Sequence, residues 1–313
     1  MTHEKPPAIL LMGPTASGKT DLAVSIVKRF DCDIISVDSA MIFRGMDIGT
    51  AKPDPETLAI APHRLIDFLD PSEAYSAGRF LNDARREIDD ITQHGRTPLL
   101  VGGTMMYYRI LQLGIAELPV ADPRVREELD RRADELGWPA VHAELEAVDP
   151  QAAARIDAND SQRIQRALEV HILSGEAISK LHERGAVGAP DVEFVKLGLW
   201  PEDRAGLHTR INQRFDEMMA AGLLDEVRDL HQRQDLNRDM PSMRCVGYRQ
   251  LWEHLDGDCD LAHAVRQAKT ATRQLAKRQL TWLRAERDTL LVDSFAADCE
   301  QEVTAAINHK LGT

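Results

Sequence analysis

Ala8-Ile-Leu-Leu-Met12-Gly13-Pro14-Thr15-Ala16-Ser17-Gly18-Lys19-Thr20 joins a short apolar run to a loop that matches the pattern GxxxxGK[ST]. The apolar run is too short for a helix and stops at Gly-Pro, so it predicts a fully buried strand. Beyond the loop, Leu22, Ile26 and Phe30 recur at helical spacing, with Ala23 and Val27 beside them. Strand, loop and helix in that order are the context in which the pattern has a physical meaning. Glycines let successive backbone N–H groups turn toward one anion, and the helix N-terminus adds its positive dipole end. Lys19 supplies a point charge to the terminal phosphate and Thr20 a hydroxyl to Mg²⁺. Gly13, Pro14, Thr15, Ala16, Ser17, Gly18, Lys19 and Thr20 are therefore the candidate phosphate grip, with Thr20 the candidate metal ligand.

Working outward, Asp33-Ile-Ile-Ser-Val37 predicts a second buried strand. Phe80 to Ile91 predicts a helix with Phe80, Ala84, Ile88 and Ile91 inward. Pro98-Leu-Leu-Val101 predicts a third strand, closed by Gly102-Gly103-Thr104. Alternation of strands and helices predicts an α/β fold, a P-loop NTPase-like parallel sheet with helices on both faces. After Leu118 the pattern changes. Asp122-Pro123 is an N-cap with Pro at the first helical position, and helical segments follow to about Glu183. Val125, Leu129 and Leu136 mark one helix; Val141, Leu145 and Val148 mark a second. Ile164, Leu168 and Ile172 mark a third, ended by Gly175. Glu193 to Trp200 predicts a strand rejoining the sheet. The expected organisation is thus a core over 1–118, an all-helical insertion over 119–190, and the rest of the core over 191–313. Long helices are expected at about 203–233 and 260–285.

The chain has 313 residues, 43% hydrophobic and 28% charged, ordinary values for a globular protein with a real core. The polar, Pro-bearing N-terminus predicts no signal peptide, and no run approaches a membrane span, so a cytoplasmic protein is expected. Cys32, Cys245, Cys259 and Cys299 form no CxxC pair, which argues against a zinc site or a disulfide framework. A net charge of −13 speaks against nucleic acid only as an average over the molecule. Between Arg266 and Arg287 lie seven Lys/Arg and one acid, Glu286.

The loop pattern leaves open which phosphates are held. A nucleotide-hydrolysing P-loop protein generally ends a neighbouring strand in an acid that holds Mg²⁺. The strand at Leu99 to Val101 runs instead into Gly102-Gly103-Thr104, whereas Val37 is followed by Asp38. That carboxylate is free to act on something beyond a metal, or to serve as a turn aspartate.

Taken together, Gly13 to Thr20, Ser36-Val-Asp-Ser-Ala-Met41, Gly45-Met-Asp-Ile-Gly-Thr-Ala-Lys-Pro53 and Pro62-His-Arg-Leu-Ile-Asp67 resemble the tRNA dimethylallyltransferases. So do Leu100-Val-Gly-Gly-Thr104, Arg244-Cys-Val-Gly-Tyr-Arg249 and Ala271-Thr-Arg-Gln-Leu-Ala-Lys-Arg-Gln279. No Cys/His pairing follows Asp293, so the likeness is to the bacterial form. The resemblance implies transfer of a dimethylallyl group from dimethylallyl diphosphate to N6 of the adenosine 3′-adjacent to the anticodon in tRNA. Diphosphate is the leaving group, and Mg²⁺ the implied cofactor. It implies Asp38 as general base, Thr104 beside the target nucleotide, and Arg214 on the diphosphate.

It further implies tRNA contacts, at the anticodon stem-loop, from Asp38, Ser39, Ala40, Met41, Thr104 and Arg126. The other implied contacts are Gln162, Arg163, Ile164, Gln165 and Arg166, and then Arg244, Cys245, Val246, Gly247, Tyr248 and Arg249. A stacked adenine cannot meet a buried donor, so the base must be flipped out. By spacing alone Arg163 and Arg166 share one helix face, and such a pair is more often simply solvated. The stripe Arg266, Lys269, Arg273, Lys277, Arg284 is either a basic outer face or an RNA contact. Tyr248 and Trp252 either stack on bases or belong to the core. His63 is expected to be structural, and Cys245 to contact RNA or pack nearby without acting as a nucleophile. A monomer is expected. The alternative is an isopentenyltransferase acting on free adenine nucleotides, which would not need the helical insertion. A small-molecule kinase and a non-enzymatic P-loop protein are further rivals.

Overall fold

A computed structural model describes residues 5–312 of the protein. In chain order the first elements are β1 (Pro7–Met12), α1 (Lys19–Arg29), β2 (Cys32–Val37), α2 (Pro55–Ile60) and β3 (His63–Arg64). Then come α3 (Ala77–Gln93), β4 (Thr97–Gly102) and α4 (Met105–Leu113). Next are α5 (Pro123–Leu136), α6 (Trp138–Val148), α7 (Pro150–Ala153), α8 (Ser161–Ser174) and α9 (Ile178–Glu183). The chain continues with β5 (Glu193–Leu199), α10 (Arg204–Ala220), α11 (Leu223–His231) and α12 (Tyr248–Leu255). It closes with α13 (Leu261–Ala285), β6 (Leu290–Val292) and α14 (Cys299–Leu311).

Six parallel strands form one sheet in the order β3-β2-β4-β1-β5-β6. Side chains alternate between the faces of a strand. On one face Ile9, Leu11, Ile34, Leu99, Val101, Val195 and Leu197 pack with Leu22, Ala23 and Ile26 of α1 and Val303 and Ile307 of α14. On the other, Leu10, Met12, Ile35, Val37 and Leu100 are equally shut off from water. Both faces are covered, which is why the strands read as unbroken apolar runs rather than alternating ones. His63 is part-buried, with Nδ1 on Ala61 O at 2.7 Å, and burial lowers its pKa, so it serves as a neutral structural group.

The chain divides into two compact units, residues 1–112 with 190–313, and residues 113–189. The second opens at Leu113, before the expected 119, because Ile115 and Val187 exchange N–H···O bonds and tie its two ends together. Its core gathers Leu129 and Ala133 of α5, Val141 and Leu145 of α6, and Ile164, Ala167, Leu168 and Val170 of α8. Asp122 caps α5 by accepting from Arg124 N at 2.8 Å, and Gly175 ends α8 in the left-handed region at φ 72°. Two residues expected to face inward do not: Leu136 is 63% exposed and Ile172 49%. Both lie near the C-terminal ends of their helices, where the buried stripe has run out.

The long helix expected at 203–233 is two helices. Gly222, at φ 101°, breaks the run and becomes the N-cap of α11. α13, by contrast, runs unbroken for 25 residues.

Candidate active site

The site lies where β2, β4 and β1 end side by side. Val37 pairs with Gly102, and Gly102 pairs with Met12, so Asp38, Gly103-Thr104 and the Gly13–Gly18 loop leave the sheet as neighbours. Glycine is required between them. A Cβ on Gly102 would stand 2.1 Å from Val37 O, and one on Gly13 would stand 2.9 Å from Ser17 Oγ. This close approach explains why β4 ends in glycine where other P-loop proteins place an acid. The loop itself is strained: Ala16 holds φ 62°, a left-handed conformation costing a residue with a Cβ about 1–2 kcal/mol. Gly18, at φ 86°, caps α1. Ser17 is buried, and its hydroxyl has no hydrogen-bond partner among the described residues.

Three ionisable groups face one another here. Lys19 Nζ donates to Gly13 O at 3.0 Å and to Pro14 O at 2.6 Å. Burial pulls its pKa down to about 7; Asp38 opposes that fall and Arg214 adds to it. Burial likewise lowers Arg214, which α10 presents toward the same place, against the attraction of Asp38, Asp21 and Glu217. Neither cation has a carboxylate within 4 Å among the described residues, whose short ion pairs all involve other groups. Two desolvated cations without an ion pair make a site for an anion.

Asp38 is anchored on one side only. Oδ1 accepts from Ala40 N at 2.8 Å and Met41 N at 3.3 Å, whereas Oδ2 takes no hydrogen bond among the described residues. Thr104 sits beside it: its N–H donates to Val37 O at 3.2 Å, and its Oγ1 accepts from Ser39 N at 3.1 Å. Asp38, Thr104, Arg214 and Gly13 to Thr20 thus come together in one place. Beneath them Tyr108, fully buried, donates to Leu11 O at 2.9 Å and Leu100 O at 3.1 Å, pinning β1 to β4.

Sequence reasoning passed over two residues. Gln279 of α13 accepts from Thr15 N at 2.9 Å and donates to Gly103 O at 2.9 Å. Glu226 of α11 accepts from the N–H groups of Asp47, Ile48 and Gly49 and from the Tyr248 hydroxyl at 2.5 Å. Both lie inside or near motifs, but neither shows a spacing that names its distant partners.

The residues implied to touch RNA fall into two groups. Ser39 and Arg244 are exposed, and Arg249 is exposed with its side chain paired to Glu253 at 3.1 Å. Gln162 is exposed, and Arg163 is 72% exposed with a long 3.4 Å contact to Asp160. Ala40, Met41 and Val246 are partly buried. The others are already engaged. Ile164 is wholly buried in the helical core, so its side chain cannot reach a ligand. Arg126 grips Glu169 with two bonds, 2.8 and 3.1 Å, and Arg166 donates to Glu169 at 2.8 Å and to Pro119 O at 2.9 Å. Glu169 is fully buried, and these guanidiniums hold it below the usual carboxylate range against the opposing pull of burial. Gln165 donates to Asp130 at 2.7 Å.

Tyr248 and Trp252 are core residues, 0% and 4% exposed, and not stacking platforms. Gly247 is buried at φ 95°. Burial, with Asp38 nearby, pushes the Cys245 thiol up to about 12, so it is no thiolate at neutral pH. In the basic stripe, Lys269 pairs with Asp216 at 2.6 Å, Arg273 donates to Asn212 at 2.6 Å, and Arg284 lies over Trp200. Among the described residues no group of three His, Cys, Asp or Glu side chains could hold a metal ion by itself, and no helix is long and apolar enough to cross a membrane.

With this geometry in place, known proteins are informative. The family described as IPP transferase matches residues 41–286. The tRNA dimethylallyltransferase of Thioalkalivibrio sulfidiphilus is 57% identical over 280 residues, 90% of this chain and 88% of that protein. That of Thiobacillus denitrificans is 54% identical over 307 residues, 98% of each. Among solved structures, the full-length tRNA isopentenylpyrophosphate transferase of Bacillus halodurans superposes with a TM-score of 0.71 at 36% identity, covering 99% of this chain and 96% of that one. A eukaryotic dimethylallyltransferase crystallised acting on tRNA reaches a TM-score of 0.82 at 24% identity, over 98% of this chain and 80% of its own, a likeness of fold. The matched region carries Asp38's flanking segment, Thr104, Arg214 and Gln279, all but the phosphate loop and Asp38 itself, and the full-length relatives cover those too: the chain belongs to the IPP transferase family.

Proposed function

We propose that the protein transfers a dimethylallyl group from dimethylallyl diphosphate to N6 of the adenosine 3′-adjacent to the anticodon in tRNA, releasing diphosphate. The observation that carries this reading is the pair Lys19 and Arg214. Both are desolvated, both feel Asp38, and neither has an ion-pair partner among the described residues. A diphosphate leaving group supplies the missing anion, and its charge grows as the carbon–oxygen bond breaks, when fixed cations matter most.

The acceptor chemistry falls to Asp38. With Oδ1 held by two backbone N–H groups, Oδ2 is the free oxygen that can take the proton of the adenine amino group as nitrogen attacks the allylic carbon. Thr104 accepts from the N–H of Ser39, the residue after Asp38, and offers its hydroxyl to the same nucleotide. The target adenine must leave its stack to reach the strand ends where these groups lie. Thr20, in the first turn of α1, has a hydroxyl with no protein partner among the described residues and would hold a Mg²⁺, whose charge would offset that of the diphosphate.

RNA binding by a chain of net charge −13 requires local cations. Among the described residues Arg244 is exposed without an ion pair, and Arg163 is exposed with only a long 3.4 Å contact to Asp160. Arg163→Ala is expected to weaken stem-loop binding and make its salt dependence shallower by about one unit of slope. Arg166→Ala is expected instead to destabilise the helical unit, because it leaves buried Glu169 short of a partner. A binding titration at several salt concentrations and a melting curve separate the two.

The reading as a whole is tested by incubating the protein with Mg²⁺, dimethylallyl diphosphate and an anticodon stem-loop, then analysing nucleosides by mass spectrometry. Prenylated adenosine in the stem-loop is expected, with no product from free AMP. Product from AMP alone would instead identify a nucleotide isopentenyltransferase, and phosphate transfer from ATP a kinase.

A further inference from the structure

The register of the sheet leaves a gap at the point where the chemistry takes place. The β1–β4 ladder ends at Met12 and Gly102. Beyond it, among the described residues, no backbone hydrogen bond joins Gly13–Gly18 to Gly103–Thr104. The first of these loops is the anion grip. The second is tied to Asp38's surroundings through Thr104, which bonds Val37 O and Ser39 N. Among the described residues one side chain hydrogen-bonds both: Gln279, taking Thr15 N–H at one end of its amide and giving a hydrogen to Gly103 O at the other, both at 2.9 Å.

A planar side-chain amide used in this way does what the next peptide of a strand would do. It continues the ladder for one more step. Its base is rigid, since α13 carries it between Ala276 and Leu280, both packed with Leu207 and Ile211 of α10. The approach also depends on glycine at 103, because a Cβ there would lie 2.3 Å from Gln279 Nε2. We propose that Gln279 is a positioning residue that fixes the phosphate loop against the Asp38–Thr104 side, and so sets the distance between the allylic carbon and the amino nitrogen.

The inference rests on the prenyl-transfer reading and concerns rate more than affinity. Gln279→Met keeps the size and removes both bonds. Lys19 and Arg214 still hold the diphosphate, so donor KM should stay within about three-fold of wild type, while the single-turnover rate at saturating donor and RNA falls about 10²-fold, the scale of a misplacement near 1 Å. Gly103→Ala should give the same signature by expelling the amide. Since both variants break one link, the double variant should be no slower than either alone. The Gly103→Ala arm carries the test if the Gln279→Met protein melts early.

A donor KM that rises at unchanged maximal rate would overturn the proposal, making Gln279 a determinant of donor binding. Wild-type rates in both variants, or losses that multiply in the double variant, would overturn it as well. A wild-type protein that prenylates no RNA removes the parent reading and this inference together, whereas an active wild type beside unaffected variants removes the inference alone.

Discussion

Asp38→Asn is expected to leave a folded protein that binds donor and stem-loop yet turns over about 10²–10⁴-fold more slowly, the usual cost of losing a general base. The fold should survive because the asparagine carbonyl oxygen can still accept from Ala40 N and Met41 N, the bonds that hold Oδ1. Adenine's amino nitrogen is a poor nucleophile, with its lone pair delocalised into the ring. Attack on the allylic carbon makes its proton acidic, and only a carboxylate oxygen with spare capacity, here Oδ2, can accept it at neutral pH. A purely structural Asp38 predicts a lower melting temperature and near-normal turnover. Single-turnover rate and thermal midpoint measured on the same variant decide between them, and turnover within a few-fold of wild type would take Asp38 out of the chemistry.

Arg214→Ala is the second large effect, expected to lower the rate of the chemical step by about 10²–10³-fold, as for other preorganised donors aimed at developing negative charge. It should weaken diphosphate binding less, because Lys19 and the loop amides remain. Lys19 adds a pH signature. Its pKa is about 7 in the folded protein against an ordinary 10.5, so below pH 7 the folded chain carries a buried ammonium at full cost. Between about pH 7 and 10.5 the folded state sheds that proton before the unfolded state does, and stability rises with pH. Lys19→Met should therefore be more stable than wild type at pH 6, with the difference fading toward high pH. The advantage of wild type over Lys19→Met in binding inorganic diphosphate should shrink as pH climbs above about 7, because the anion needs the ammonium. Parallel titrations of the two proteins by calorimetry would show it; a constant ratio would place Lys19 away from the anion.

Much of this site is legible in the sequence. Gly13 to Thr20 announces itself because its function depends on residue types at fixed local spacing, and Gly102-Gly103-Thr104 because a strand-ending glycine run is unusual. Asp38 was visible as an acid closing a buried run. The helical period over 203–233 does not reveal its break, because Gly222 is tolerated inside such a period and only its φ of 101° shows that the chain turns there. Tyr248 and Trp252 were ambiguous because an aromatic beside arginines looks the same in sequence whether it packs inward or faces a base.

Periods, caps and short motifs are properties of neighbouring residues, so the sequence alone determined the strand–loop–helix grip, the alternation that makes a covered parallel sheet, the helical insertion and the family. Strand order and ion-pair choice are not local. Nothing between residues 12 and 102 says that β4 lies between β1 and β2, yet that placement brings Asp38, Thr104 and Lys19 together and requires Gly102. Nor does any arginine carry a mark of its partner. Arg126 and Arg166 spend their charge on a buried carboxylate, while Arg214, itself desolvated, forms no ion pair among the described residues. Only packing decides that, because the energy of a charge is set by which groups, distant in the chain, share its low-dielectric surroundings.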